Sequence, residues 1–265
     1  MNKIKQLREK TGVGIIDCKK ALEETNNDID AAVEFLRKKG IAKATKRENR
    51  ETNEGVILVE SNDTHDVAYM LEINSETDFV AKNEKFQELA KDIFELLKTE
   101  NPANLDELNN LSFRDSSVLE EVSSLSGIIG EKIKVSNLKI LKGEMVGAYS
   151  HMGGKIGAIV SFDQKIDTEL ANSIAMHITA TNPKYIVNNE VPQDMIDKEK
   201  EIYREELITS GKPENILDKI IEGKINKYME EICLVKQEYI KEDKKKVEEV
   251  LGETNIVEFT RYSLN

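Results

Sequence analysis

The chain has no tryptophan, and aromatic residues make up only 5% of its 265 residues. That scarcity excludes one large aromatic-filled core and suits several small, helix-rich ones. Two cysteines occur, Cys18 and Cys233, far apart and in helix-like settings. They exclude a disulfide framework or a metal knuckle and point to a reducing compartment. No run approaches the roughly 20 apolar residues that span a bilayer, and MNKIKQLREK lacks the apolar centre of a secretory signal. A cytoplasmic protein with no membrane contact is expected.

Histidine is also scarce. His65, His151 and His177 are widely separated, and neither cysteine lies beside one in the pattern of a nucleophile and its base. No Walker-type phosphate loop occurs, and the glycines of HMGGKIG fall between strand-like runs with no helix opening after them. No covalent enzyme chemistry, cofactor or metal site is expected. His65 reads as a solvated turn residue, and His177, following Ile174, Ala175 and Met176, reads as a satisfied core or rim histidine.

Charge is what the chain has in abundance. Charged residues make up 33%, and 50 acidic against 38 basic residues leave a net charge of −12. This argues against a general nucleic-acid binder, which needs a basic excess to track phosphates. The length allows two or three modest domains.

The first 40 residues carry three short helical patterns. Ile4 and Leu7 mark the first, Thr11-Gly12-Val13-Gly14 breaks it, and Cys18, Ala21 and Leu22 mark the second. Asn26, Asn27 and Asp28 form a turn in which Asp28 caps a third helix with apolar face Ile29, Ala32, Val33 and Leu36. Gly40 is expected to stop it. Three such helices have little core and read as an appended binding module. Ile15 and Ile16 are adjacent and cannot both face one apolar stripe, so one of them is open to solvent. The basic stretch RKKGIAKATKRENR (37–50) reads as a solvated helix end and linker, with phosphate contact as the other reading.

From Gly55 the period changes to two. GVILVE and VAYMLEIN are strand patterns joined by the turn cluster SNDTHD, a hairpin with a six-residue loop. The stretch INSETDFVAKNEKF (73–86) then carries a strand into a long helix through an oddly apolar connection. Phe79 and Val80 either tuck under that helix or are held out for a partner. Asn83 reads as an N-cap, and Phe86, Leu89, Ala90, Ile93, Phe94 and Leu97 recur at helical spacing. Residues 100–115 read as loop, 116–129 as helix and KIKVSNLKIL as strand. A second hairpin, MVGAYSHM and KIGAIVSF around Gly153-Gly154, leads to a helix carrying Leu170, Ile174, Ala175, Ile178 and Thr181. Strand, turn, strand, loop and helix thus occur twice, an internal duplication of α+β units.

Residues 193–209 and 214–234 are helical and are joined by Ser210-Gly211-Lys212-Pro213. Ile202, Leu207 and Ile208 are expected to face Leu217, Ile220, Ile221, Ile225 and Tyr228 in an antiparallel hairpin projecting from the body. IVEFTRYSLN returns to strand character in the second sheet. The expected division is 1–52 (helical module and basic linker), 53–139 (first core unit), 140–189 (first part of the second), 190–234 (helical hairpin) and 235–265 (return strand).

The segments LREKTGVGIIDCKKAL, INSETDFVAKNEKF, GAYSH with KIGAIV, SIAMHI and SGKPENI, in this order, resemble the bacterial elongation factor Ts family over nearly the whole chain. The resemblance implies a guanine-nucleotide exchange factor for elongation factor Tu. It further implies a ubiquitin-associated-like three-helix module, a duplicated α+β core and an inserted coiled coil. In that family the TDFV segment, here Thr77, Asp78, Phe79 and Val80, enters the partner's nucleotide-binding domain and displaces magnesium. Arg8, Ile15, Ile16 and Lys19 match positions that touch the same domain, and His151 matches a residue packing on another domain of the partner. The turn HMGGKIG is one residue longer than the family pattern, and the extra C-terminal helix of some members is not expected here. Two other readings remain from other classes: an adaptor whose residues 1–40 suffice to bind ubiquitin-like or nascent-chain surfaces, and an acid/base enzyme active without a protein partner.

Overall fold

The computed structural model describes residues 2–11, 13–45, 47 and 49–264. Gly12 of the first expected break, and Lys46 and Glu48 of the expected linker, lie outside the described residues. The chain opens with α1 (Asn2–Thr11), α2 (Ile15–Glu24) and α3 (Ile29–Thr45), which share a core of Leu7, Val13, Cys18, Ala21, Leu22, Ala32 and Leu36. Asn26 and Asn27 turn the chain with φ of 51° and 63°, a left-handed region that asparagine tolerates. Asp28 then caps α3, accepting from the Ala31 amide at 2.9 Å.

The first core unit contains β1 (Glu54–Ser61), β2 (Val67–Ser75), α4 (Asp78–Ala81), α5 (Glu84–Glu100), α6 (Leu105–Asn110), β3 (Ser112–Phe113), β4 (Ser116–Ser117), α7 (Val118–Ile129) and β5 (Ile133–Lys142). Its antiparallel sheet has the order β1-β2-β5. The second unit contains β6 (Met145–His151), β7 (Ile156–Phe162) and α8 (Thr168–Thr181). After the helical pair α9 (Gln193–Thr209) and α10 (Glu214–Ile232), and α11 (Val247–Leu251), it closes with β8 (Ile256–Ser263) in the order β6-β7-β8. The fold is mixed helix and antiparallel sheet, as expected. Residues 100–115 are not plain loop: Asn104 caps α6 by accepting from the Glu107 amide at 2.9 Å, and Leu108 is fully buried.

The two sheets lie back to back, and alternation along each strand decides which face each residue serves. Val56, Tyr69, Leu71 and Ile73 pack on α5 and α7, while Ile57, Ala68 and Met70 meet Val146 and Ile159 of the second sheet. Ala158, Val160 and Phe162 face α8 on the far side. Gly157 permits the approach, since a Cβ there would lie 2.5 Å from the Val59 side chain. Backbone bonds stitch the sheets, the Ile57 amide donating to the Gly154 carbonyl at 2.7 Å and the Val146 amide to the His65 carbonyl at 2.8 Å. His65 is therefore half-buried structure with φ of 53°, not a solvated turn residue. The Tyr262 hydroxyl donates to the Leu138 carbonyl at 3.1 Å, and burial pushes that phenol up to about 12.

Gly40 does not stop α3, which runs five residues further. It marks instead the crossing of α3 and α7, where a Cβ on Gly127 would lie 2.3 Å from the Gly40 Cα. Glycine serves close backbone approach here rather than a helix end. The basic stretch is likewise anchored to the core and not merely solvated: Arg37 pairs with Glu120, Arg47 donates to the Ser126 carbonyl, and Arg50 pairs with Glu76.

The seam of the α9–α10 hairpin also differs from expectation. Tyr203 and Leu207 meet Leu217, Ile221, Ile225 and Met229, whereas Ile202 and Ile208 point to solvent. Positions 196, 203 and 207 hold one helical stripe, and 202 and 208 fall off it.

His177 is fully buried and fully engaged, as expected for a core histidine. Its Nε2 lies 2.9 Å from Gln237 Oε1, which also accepts from the Thr181 hydroxyl, and its Nδ1 faces the Ile240 amide. Burial pushes its pKa below 6.5, so the folded protein holds it neutral. Its contribution is complete above the unfolded pKa and is lost as pH falls through that value toward the folded one. The thermal midpoint is expected to drop below about pH 6.5, and His177→Gln to flatten that dependence in a pH series of melting curves.

The glycine crossing yields a second expectation. Gly127→Ala should destabilise by about 1–3 kcal/mol through forced separation of α3 and α7. Gly223→Ala, in open space on α10, should stabilise by about 0.5–1 kcal/mol. Urea unfolding distinguishes the two.

Candidate functional site

Strand β2 ends at Ser75, flanked by Glu54 on β1 and Ile133 on β5. Beyond it the chain makes only four helical residues, α4, before α5 begins. A helix that short makes too few internal hydrogen bonds to persist on its own, so its ends are held by side chains. Thr77 is the N-cap, its Oγ1 accepting from the Val80 amide at 3.4 Å while its hydroxyl donates to Glu131. Gln87 donates to the Ala81 carbonyl at 2.6 Å, and Asn83 caps α5 by accepting from the Lys85 amide at 3.0 Å.

Helical geometry separates the two apolar residues that patterning left open. Successive helical side chains diverge by about 100°. Val80 turns inward and is 7% exposed in the core with Phe86 and Leu89, whereas Phe79 is 82% exposed. Phe79 is thus held out on a braced support. Asp78 beside it is partly exposed and binds Lys82 at 2.8 Å. The hydrogen bond from Lys82 holds its carboxyl below the usual carboxylate value, with the nearby charge of Lys155 acting in the same direction.

The second hairpin turn lies at the same edge of the molecule. Lys155 binds Glu54 at 3.2 Å, and the Gly154 carbonyl holds the Ile57 amide. His151 is exposed there, its Nδ1 3.2 Å from the Tyr149 hydroxyl and its ring stacked on that tyrosine at 6.0 Å. Met152 follows it, exposed and with φ of 51°. Met152 was missed in the sequence, where it reads as a strand end.

The N-terminal residues form a separate group. Ile15 and Ile16 open α2 and are 56% and 73% exposed, so both are open to solvent rather than one. Arg8 and Lys19 are exposed as well, with Lys19 3.7 Å from Glu23. The glycine turn before Ile15 borders a cleft lined by Val13, Gly14 and, from the C-terminal end of α7, Gly127, Ile128 and Gly130. That end of α7 continues into Glu131, which holds Thr77. The helical group and the Phe79 projection are thereby braced on the same turn.

Among the described residues no group of three or more histidine, cysteine, aspartate or glutamate side chains could hold a metal ion, and no helix is long and apolar enough to cross a membrane. What the surface offers is a braced apolar projection, an exposed isoleucine pair and an exposed His-Met turn on a mixed helix-and-sheet body. The family model described as Elongation factor TS matches residues 76–265, well over half of the chain, and the chain belongs to that family. The family acts in translation elongation as an exchange factor promoting nucleotide exchange on elongation factor Tu, without covalent catalysis. The match takes in the projection and the second hairpin and leaves the N-terminal helices outside it.

The split between neighbours has a measurable consequence. Phe79→Ala should change unfolding free energy by no more than about 0.5 kcal/mol. Val80→Ala should cost about 1–2 kcal/mol through the cavity it opens, and chemical denaturation reads both.

Proposed function

We infer that this chain docks on elongation factor Tu in its GDP-bound form and uses Phe79 as a wedge that loosens the magnesium site. The observation that carries this reading is the 82% exposure of Phe79 on a capped four-residue helix whose next residue, Val80, is buried. Phe79 enters an apolar pocket between helices of the partner's nucleotide-binding domain, gaining about 2 kcal/mol of burial. Asp78, ionised and adjacent, disturbs the water and side-chain network around the ion. Without the metal, the nucleotide phosphates lose their main counter-charge and GDP leaves faster. GTP then rebinds and expels the factor, since the coupling between factor and nucleotide is reciprocal.

Val80 and Thr77 support the wedge from behind. Ile15 and Ile16, with Arg8 and Lys19 around them, add an apolar contact to the same domain of the partner. His151 and Met152 meet a second domain. On this reading residues 1–52 are a ubiquitin-associated-like module with its linker, and residues 53–139 and 140–189, completed by 235–265, are the two core subdomains. Residues 190–234 are an inserted coiled coil. The work is done in the cytoplasm and needs no cofactor.

The test is the release of fluorescent GDP from elongation factor Tu. Phe79→Ala should slow the accelerated rate by about tenfold or more, the equivalent of losing a buried aromatic anchor. Asp78→Ala should slow it by a smaller factor, and both variants should melt with the parent chain. Acceleration by Phe79→Ala equal to that of the parent would remove the wedge. The adaptor reading instead requires that residues 1–40 suffice to bind a ubiquitin-like or nascent-chain surface.

A further inference from the structure

We propose that Glu131 is the positioning residue that aims the Phe79 projection, and that Thr77 is the catch it closes on rather than a surface offered to the partner. The proposal rests on the reading of Phe79 as the wedge. Its geometry is a crosswise exchange of carboxylates just past the last rung of the β2–β5 ladder, where Ser75 faces Ile133. From one loop, Glu131 accepts the Thr77 amide on Oε2 at 3.0 Å and the Thr77 hydroxyl on Oε1 at 2.9 Å. From the other, Glu76 accepts the Lys132 amide on Oε1 at 2.6 Å. Two neighbouring residues on each loop thus continue the ladder with side chains, each carboxylate taking an amide beyond the last strand pair.

Both ends of this exchange are fixed from behind. The Glu131 carbonyl accepts from the hydroxyl of buried Ser126 at 2.6 Å, and Gly130 ends α7 with φ of 94°, which turns Glu131 toward β2. Arg50 holds Glu76 at 3.1 Å from the far side. The Ser75 hydroxyl donates to the Thr77 carbonyl at 3.0 Å.

The direction of Phe79 follows from this arrangement. Phe79 is the second residue of a helix that cannot persist by its own bonds, so its orientation is inherited from the N-cap. The Thr77 hydroxyl proton goes to Glu131, which leaves an Oγ1 lone pair directed at the Val80 amide. Without the carboxylate that hydroxyl is free to rotate, the cap loosens, and the ordering of the tip must be supplied when the partner is engaged. No contact with the partner is lost. The exchange step weakens while docking, set by the other contacts, persists.

The experiment measures GDP release from elongation factor Tu against concentration of the full-length chain. It compares the parent with Glu131→Ala, Thr77→Val, Thr77→Ser, Phe79→Ala and the Glu131→Ala/Thr77→Val pair. Glu131→Ala and Thr77→Val should each lower the maximal rate by about tenfold, with half-saturating concentrations within about twofold of the parent. The pair should be no worse than either alone, and Thr77→Ser, which keeps the hydroxyl, should restore the parental rate. In the isolated protein, amide hydrogen exchange in Glu131→Ala should quicken at Thr77 and Val80 while Leu71 and Ile73 stay protected. A parental maximal rate for Glu131→Ala beside a slowed Phe79→Ala would overturn the positioning role and leave the wedge standing. A parental rate for Phe79→Ala would remove the wedge itself. Loss of protection at Leu71 and Ile73 as well would make Glu131 a residue of the general fold and overturn the proposal.

Discussion

Strand β2 is the constraint on which the molecule depends. It is paired along both edges, by β1 and β5, and both of its faces are covered. Tyr69, Leu71 and Ile73 bury against α5 and α7, while Ala68 and Met70 bury against the second sheet. A strand so enclosed has no freedom of register, because a slip by one residue would exchange its two apolar sets and break both cores. Its C-terminal end is therefore a fixed point in space, and the projection that carries Phe79 begins two residues beyond it.

The N-terminal helices reach that fixed point by a different route. They do not pair with a sheet; they touch α7 through two glycines whose backbones meet, and arginine side chains hold either side of the contact. The same helix α7 ends at Gly130 and hands the chain to Glu131. One helix thus meets, through α3, the group that carries the exposed isoleucines and, at its end, the residue that holds the N-cap before Phe79. The two groups are joined through the packed α3–α7 crossing as well as through the chain between them, which on the proposed reading suits engagement of one surface.

Much of the body was legible in the sequence, because its signals are local. The 3.6-residue recurrence from Phe86 to Leu97, the two strand pairs and the Gly-Lys-Pro joint between the long helices each report on neighbours in the chain. Where the decisive contact is distant, local signals misled. Gly40 has the look of a helix end, and its true role depends on Gly127, far along the chain. Ile202 and Ile208 are as apolar as Leu207, and only the phase of the stripe through Tyr203 places them outside. Residues 100–115 hold a helix with a single buried anchor, Leu108, too little for periodicity to register. At the site, patterning could not divide Phe79 from Val80, whereas the family resemblance singled out the segment. Neither route pointed to Glu131, which meets Thr77 across 54 residues of sequence and carries no motif of its own.

The exposure of Phe79 separates two demands that most residues must satisfy together. A core residue answers to folding first, and a chain that loses it is opened and degraded in proportion to the stability lost. Phe79 belongs to none of the apolar clusters, so its loss should leave a molecule about as resistant to proteolysis as the parent. Cellular quality control reads stability and is blind to such a change. On the reading of Phe79 as the wedge, defective copies would accumulate at full abundance and occupy the partner through their remaining contacts, making a change at this one position an inhibitor rather than a simple absence.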